Sequence, residues 1–319
     1  MAKLFIIGNG FDIAHGLETS YDHFRKYLLS KYPEIKMDEF IVPTESSQPD
    51  GGVSYKDSEV LSMLFYLINE VESCTKEWTG EWNNIESSLG YLSFDEAFDW
   101  LDDIRDKDDD INYFKTAYRN EDIASQLVIP TTTIQHLFAE WINTISLDSV
   151  ETNGDFRKLV NDQDLFLTFN YTETLEEVYG IQEDNICHIH GKQNEEIFFG
   201  HGNFEDYTGS CIEKHIGSQD SLSKIYDQLR KRTDDALDNN LDFFYSLEEA
   251  DINKIYSYGF SFSEVDMVYL QEICNQVNTK NMIWYFNDFD VSNHNKYKDV
   301  LRKCGYTGAF NTFHIKLNK

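Results

Sequence analysis

The chain opens on an unbroken apolar run, Leu4 to Ile7, that stops at Gly8-Asn9-Gly10, a pattern that predicts a buried strand feeding a tight turn. Thr19 or Ser20 is then placed to cap a helix running to about Tyr32, with Tyr21, Phe24, Tyr27 and Leu28 on one face. VPTESSQPDGG, over 42–52, has the composition of a loop. From about 57 to 146 apolar residues recur every three or four positions, so SEVLSMLFYLINEV, FDEAFDWLDDI and TTIQHLFAEWINTI predict helices, with DKDDD (106–110) as a solvated link.

The period changes after about residue 160. DLFLTFN (164–170), NICHIHG (185–191), EIFFG (196–200), KIYSYGF (254–260), MIWYFND (282–288) and a terminal TFHIKL read as strands. Helical stretches alternate with them at 172–180, 219–249, from about 264, and at 294–304. This alternation predicts an α/β, Rossmann-like fold with a mostly parallel sheet. With the first run joining that sheet, 1–319 is expected to be a single nucleotide-binding domain, its strands drawn from 1–21 and 160–319, and 22–160 a large helical insertion.

Charge narrows the partners. The 319 residues carry 57 acidic and 27 basic side chains, a formal net charge of −30. Nucleic-acid binding leans on basic faces that neutralise phosphates, and none is visible, so DNA, RNA and anionic membrane surfaces are disfavoured. The five cysteines, Cys74, Cys187, Cys211, Cys274 and Cys304, form no C-x-x-C pair, and are expected to be thiols of a reducing compartment. No leader-like or membrane-spanning apolar segment is evident, which gives the expectation of a cytoplasmic protein.

Candidate chemistry clusters where predicted strands end: GNGFD, FNYT, HIHG, GHG and SYGFS. In an open parallel sheet ligands bind beyond the carboxyl ends of the strands. Each motif alone has two readings. Gly8-Asn9-Gly10 is either a strand-to-helix turn or a backbone cradle for phosphate. It departs from the G-x-G-x-x-G fingerprint, because Ile13 stands at the third glycine and Gly16 comes three positions late. Asn170 is a helix cap or a ligand contact. His188 and His190 fall on one face of a strand and, with His201, outline a metal site that lacks a carboxylate or cysteine partner. Asp12 and His15 are loop polars or site residues.

The order GNGFDIAHGLETSYDHF, WNNIESSL, LTFNYTETLEEVY, HIHGK, IFFGHG and YSYGFSFSEVD closely resembles the bacteriophage abortive-infection AbiH family. The same series is similar to the NAD site of sirtuins, with Gly8-Asn9-Gly10-Phe11-Asp12 leading to Gly16, Thr168-Phe169-Asn170-Tyr171-Thr172 at the T-Q-N-I-D motif, and His190-Gly191 at the catalytic histidine. Gly200 and His201 stand at the F-F-G-E strand, and Gly259 and Ser261 at the G-T-S loop. The resemblance implies that Gly8, Asn9, Gly10, Phe11 and Gly16 hold a diphosphate, that His190 is a general base, and that Asn170 orients a ribose hydroxyl or the attacking water. It implies that Asp12 bonds a ribose or replaces part of what Thr172 loses on the nicotinamide side, that Gly200 and His201 join the nucleotide contacts, and that Gly259 and Ser261 contact ribose or phosphate on the adenosine side. It implies NAD as substrate, cleaved to nicotinamide and ADP-ribose in anti-phage defence under a phage-derived trigger. Thr172 replaces an acid and Tyr21 an arginine of that pattern. Between Gly191 and Ile197 there is no room for the sirtuin zinc module, so neither zinc nor deacylase activity is expected. Two rivals stand beside this reading: a non-catalytic NAD or ADP-ribose sensor, and a metal-dependent hydrolase or nuclease built on His188, His190 and His201. Glu86, in helical register with Trp82, is either a surface acid or a pocket residue. The helical region is a lid, a trigger sensor or a homo-oligomer contact.

Overall fold

The computed structural model describes residues 2–49, 51–74, 80–203 and 214–316; Cys211 lies outside these. Two compact units emerge. One comprises Met1–Ser20, Trp141–Phe198 and Arg232–Lys319; the other comprises Tyr21–Glu140 and Phe199–Lys231. Residues 141–160 thus go with the sheet, and 199–231 with the helical unit.

The first unit is built on six parallel strands: β1 (Lys3–Ile7), β4 (Leu165–Thr168), β5 (Ile186–His188), β6 (Lys254–Tyr258), β7 (Ile283–Asn287) and β8 (Ala309–Phe313). Their order across the sheet is β5-β4-β1-β6-β7-β8. The chain therefore builds outward from β1 in one direction, then returns and builds in the other. That is the doubly wound, Rossmann-type order, and its switch point lies between β1 and β6. Helices flank the sheet, so both faces are covered. Leu4 and Ile6 enter one core with Leu167, Ile255, Phe260, Leu270 and Trp284, while Phe5 and Ile7 enter another with Phe11, Phe156, Phe166, Tyr179 and Tyr256. Burial on both faces is why β1 reads as a solid apolar run rather than as an alternating one.

The second unit is largely helical: α2 (Tyr21–Lys31), α3 (Asp57–Ser73), α4 (Ile85–Ser88), most of α5 (Tyr113–Ile142) and α8 (Gln219–Leu229), where α1 (Asn9–Ala14), α6 (Gly154–Leu159) and α7 (Thr174–Glu177) belong to the first unit. Helices α9 (Thr233–Asp238), α10 (Leu241–Glu249), α11 (Met267–Gln276) and α12 (His294–Lys303) complete the first unit.

Several expectations change. The loop at 42–52 contains one arm of an antiparallel hairpin, β2 (Glu45–Ser47) with β3 (Val53–Tyr55). FDEAFDWLDDI forms only a short 3-10 turn at Asp95–Ala97, its course set by Lys214 and His215, which hold the Asp95 carboxylate at 2.9 and 3.1 Å. EIFFG is not a strand: Phe198 N–H donates to the His190 carbonyl, and Phe199 stacks on Phe138 of the helical unit. β5 ends at His188, and a turn carries Ile189 and His190. The last strand starts at Ala309, earlier than TFHIKL suggests.

Candidate functional site at the carboxyl edge of the sheet

Four contiguous strands, β5, β4, β1 and β6, deliver HIHG, FNYT, GNGFD and YGFS to one edge. At the switch point the glycines have a definite employment. Gly8 N–H donates to the Tyr258 carbonyl and Gly10 N–H to the Gly259 carbonyl, each at 3.0 Å, while Phe11 N–H returns to Gly8. A Cβ on Gly8 would lie 2.5 Å from the Gly259 oxygen, one on Gly10 would lie 2.7 Å from the Gly259 Cα, and one on Gly259 would strike the Phe11 nitrogen. Two backbone turns are pressed together here, and only glycine permits it. Of the N–H groups expected to face a diphosphate, those of Gly8 and Gly10 are spent on the β6 turn, and α1 is just six residues long. Phe11, expected beside a ligand, is fully buried among Phe156, Tyr179 and Tyr258. The Asn9 side chain donates to the Thr19 carbonyl, Gly16 closes the turn after α1 with φ +80°, and Ser261 is exposed.

Asp12 is the centre of a buried polar cluster. Thr172 Oγ1 donates to Asp12 Oδ2 at 2.6 Å and Thr174 Oγ1 to Oδ1 at 3.0 Å. Burial pushes the carboxyl up to about 6, against the opposing pull of the two threonine hydroxyls, the Asn170 amide and the His188 charge. Desolvation outweighs all of these together. Thr172, aligned with an acid in the resemblance, works here as a donor to Asp12.

Asn170 does not cap α7, whose N-cap is Glu173. Its side chain is 5 % exposed, and neither amide atom has a hydrogen-bond partner of ordinary geometry, although the group faces Asp12 closely enough to oppose its pKa rise. A buried primary amide left this way carries a large desolvation cost, the kind of cost that a ligand's hydroxyl or amide removes.

The two histidines of HIHG part company. His188 Nδ1–H donates to the Asn170 carbonyl at 3.1 Å, and its Nε2 shares a proton with Glu176 Oε1 at 2.8 Å. His190 lies beyond the strand, 2 % exposed, with its ring against Phe169 and Tyr269 and its Nε2 at 3.5 Å from Asp266 Oδ1. In the chain, Asn170 thus sits between Phe169, which touches His190, and Thr172, which holds Asp12.

Gly200 and His201 belong to the helical unit. His201 is fully buried, its Nε2 on the Tyr226 carbonyl and its Nδ1 accepting from Asn203 N–H, and burial lowers its pKa. Both ring nitrogens of His188 and of His201 are therefore engaged, and among the described residues no group of three or more His, Cys, Asp or Glu side chains is arranged to hold a metal ion. Glu86 pairs with the buried Lys231 at 3.0 Å, and Trp82 is a core residue donating to Asn69. Thr174, Glu176 and Asp266 were absent from the residue set read off the sequence. All three nevertheless lie inside quoted motifs, Thr174 and Glu176 in LTFNYTETLEEVY and Asp266 as the closing acid of YSYGFSFSEVD.

Fold and site together define an open, all-parallel α/β protein of Rossmann-type order with buried titratable groups at the carboxyl edge of the central strands. The chain belongs to the bacteriophage abortive infection AbiH family, whose model matches residues 4–288. No curated protein and no solved structure matches the chain. Among the described residues no helix is long and apolar enough to cross a membrane.

Proposed function

We propose that this AbiH protein is an abortive-infection effector that hydrolyses the nicotinamide–ribose bond of NAD. The family gives the phage-defence role; the reaction rests on the edge cluster. The observation that carries it is the convergence of an ionisable, fully buried Asp12 and a buried, unsatisfied Asn170 amide on the strand ends next to His190. Departure of a pyridinium leaves positive charge on the ribose. Asp12, ionised above about pH 6, offers that charge an unscreened counterpart, because burial keeps water from it. Asn170 presents a donor and an acceptor to ribose hydroxyls. His190 takes a proton from water as the water oxygen bonds to ribose C1′; the C1′–N bond breaks, its electron pair neutralises the pyridinium nitrogen, and nicotinamide leaves. The diphosphate is held by groups other than the Gly8 and Gly10 N–H donors, which are already engaged.

Nicotinamide release from NAD by the purified protein, with His190→Ala alongside, tests this. The variant is expected to lose about two to four orders of magnitude in rate. Full turnover in the variant removes His190 from the mechanism. Tight nucleotide binding without release, in the presence or absence of infecting phage, favours instead a sensor, a reading supported by Thr172, whose hydroxyl is committed to Asp12.

A further inference from the structure

The reaction above asks His190 to gain a full charge in a buried place, and the sequence motif that ends in SEVD brings a carboxylate to it. Asp266 closes a short 3-10 turn at Glu264–Asp266, just past the β6 turn, and is the residue from which α11 starts. It is 7 % exposed, and its Oδ1 lies 3.5 Å from His190 Nε2. The other titratable groups whose rings face His190 are the phenols of Tyr269 on α11 and Tyr171 after β4, with centroids 5.5 and 6.4 Å away. Neither phenol is an anion near neutral pH. Asp266 therefore supplies the negative charge that these neighbours do not.

We infer that Asp266 is a positioning residue for His190: its carboxylate keeps the imidazole proton on Nε2, fixes the ring plane, and stabilises the imidazolium formed when the ring takes a proton. This deepens the hydrolase reading and rests on it for the catalytic consequence, though the pairing itself is a property of the resting protein. The backbone protects the arrangement. Phe262, with φ +55° and its ring stacked on Tyr297 at 4.4 Å, fixes the path between β6 and Asp266. The aromatic wall of Phe169 and Tyr269 keeps the pair desolvated, and desolvation strengthens the interaction between the two charges.

The test reads the ring directly. Ring nitrogen-15 shifts of His190, assigned by their loss in His190→Ala, are followed against pH in the wild type and in Asp266→Asn, with Asp266→Ser as the charge-removing variant should the first fail to fold. Removing an opposite charge at this distance is expected to lower the ring's titration midpoint by about one to three units, and Asp266→Glu is expected to restore part of it. Superimposable ring titrations in the wild type and the neutral variant, including no second protonation in either, overturn the inference. In parallel, nicotinamide release by Asp266→Asn is expected to fall about ten- to hundredfold in kcat with KM little changed, and the acid limb of its pH profile to move to lower pH. A protein that releases no nicotinamide in any form, yet shows the ring shift, retires the NAD reaction and keeps the pair.

Discussion

Asp12 shows how a buried acid can cost stability. Its carboxyl titrates at about 6 in the folded chain against 3.8 as the ordinary value, so between those limits the folded state holds the proton more tightly than the unfolded one. Stability from this group is then fully present below about pH 4, falls as pH rises, and is lost above about pH 6. Two units correspond to about 3 kcal/mol. Asp12→Asn is neutral throughout, and its stability measured by urea unfolding is expected to drop less than the wild type's between about pH 4 and pH 7, with the gap between the two curves widening across that window by roughly 3 kcal/mol. Parallel curves would mean that the Asp12 carboxyl titrates at its ordinary value in the folded chain. The same variant is expected to lose nicotinamide release, because its amide cannot answer positive charge on a ribose.

At the scale of elements, the close approach of the β1 and β6 turns makes a sharper demand than either turn alone. Gly259→Ala puts a methyl group on the Phe11 nitrogen and forces a side chain onto φ +67°. The expected loss in urea unfolding is more than about 3 kcal/mol. Gly16→Ala, with φ +80° and nothing within 4 Å of the added carbon, is the control at about 1 kcal/mol. Equal losses would mean that the contact between the turns is unimportant. What could be read beforehand follows the same physics. β1, β4, β6 and β7 were legible because strands buried on both faces leave solid apolar runs. The edge strand β8, mostly exposed, leaves a faint pattern that points to a later start than Ala309. EIFFG reads as a strand because it is a short apolar run, but Phe198 is only half-buried and Phe199 is buried against Phe138 of a helix. Of the site, Asp12, Asn170 and His190 were visible as polar residues following apolar runs. Asp266 lies on a turn well past its strand, where no periodicity marks it, and only its place at the end of YSYGFSFSEVD points to it. The glycines were visible and their partner was not: a sequence shows that Gly8 and Gly10 turn, and it does not show that Gly259 turns against them.

For the whole molecule the dominant quantity is the charge. At −30, the chain repels an anionic dinucleotide over distances set by the ionic strength. kcat/KM for NAD is therefore expected to rise with added salt, by about two- to tenfold between roughly 10 and 150 mM, as the Debye length shrinks from about 30 to about 8 Å. A rate that falls with salt would point to a local basic entry that the net charge conceals. The same repulsion, relieved by salt, is expected to raise Tm over that range.

The strand order also has a bearing on synthesis. β1 is made well before either of its neighbours in the sheet, β4 and β6: Leu4 pairs with Leu165 and with Ile255. Contacts of such long range form slowly, since loop closure must precede any gain from pairing. Asp12 emerges long before Thr172, and His190 long before Asp266. A nascent chain interrupted short of β6 carries an apolar strand with one flank uncovered and no assembled charge pair. Such a chain is expected to be aggregation-prone until β6 arrives to cover that flank.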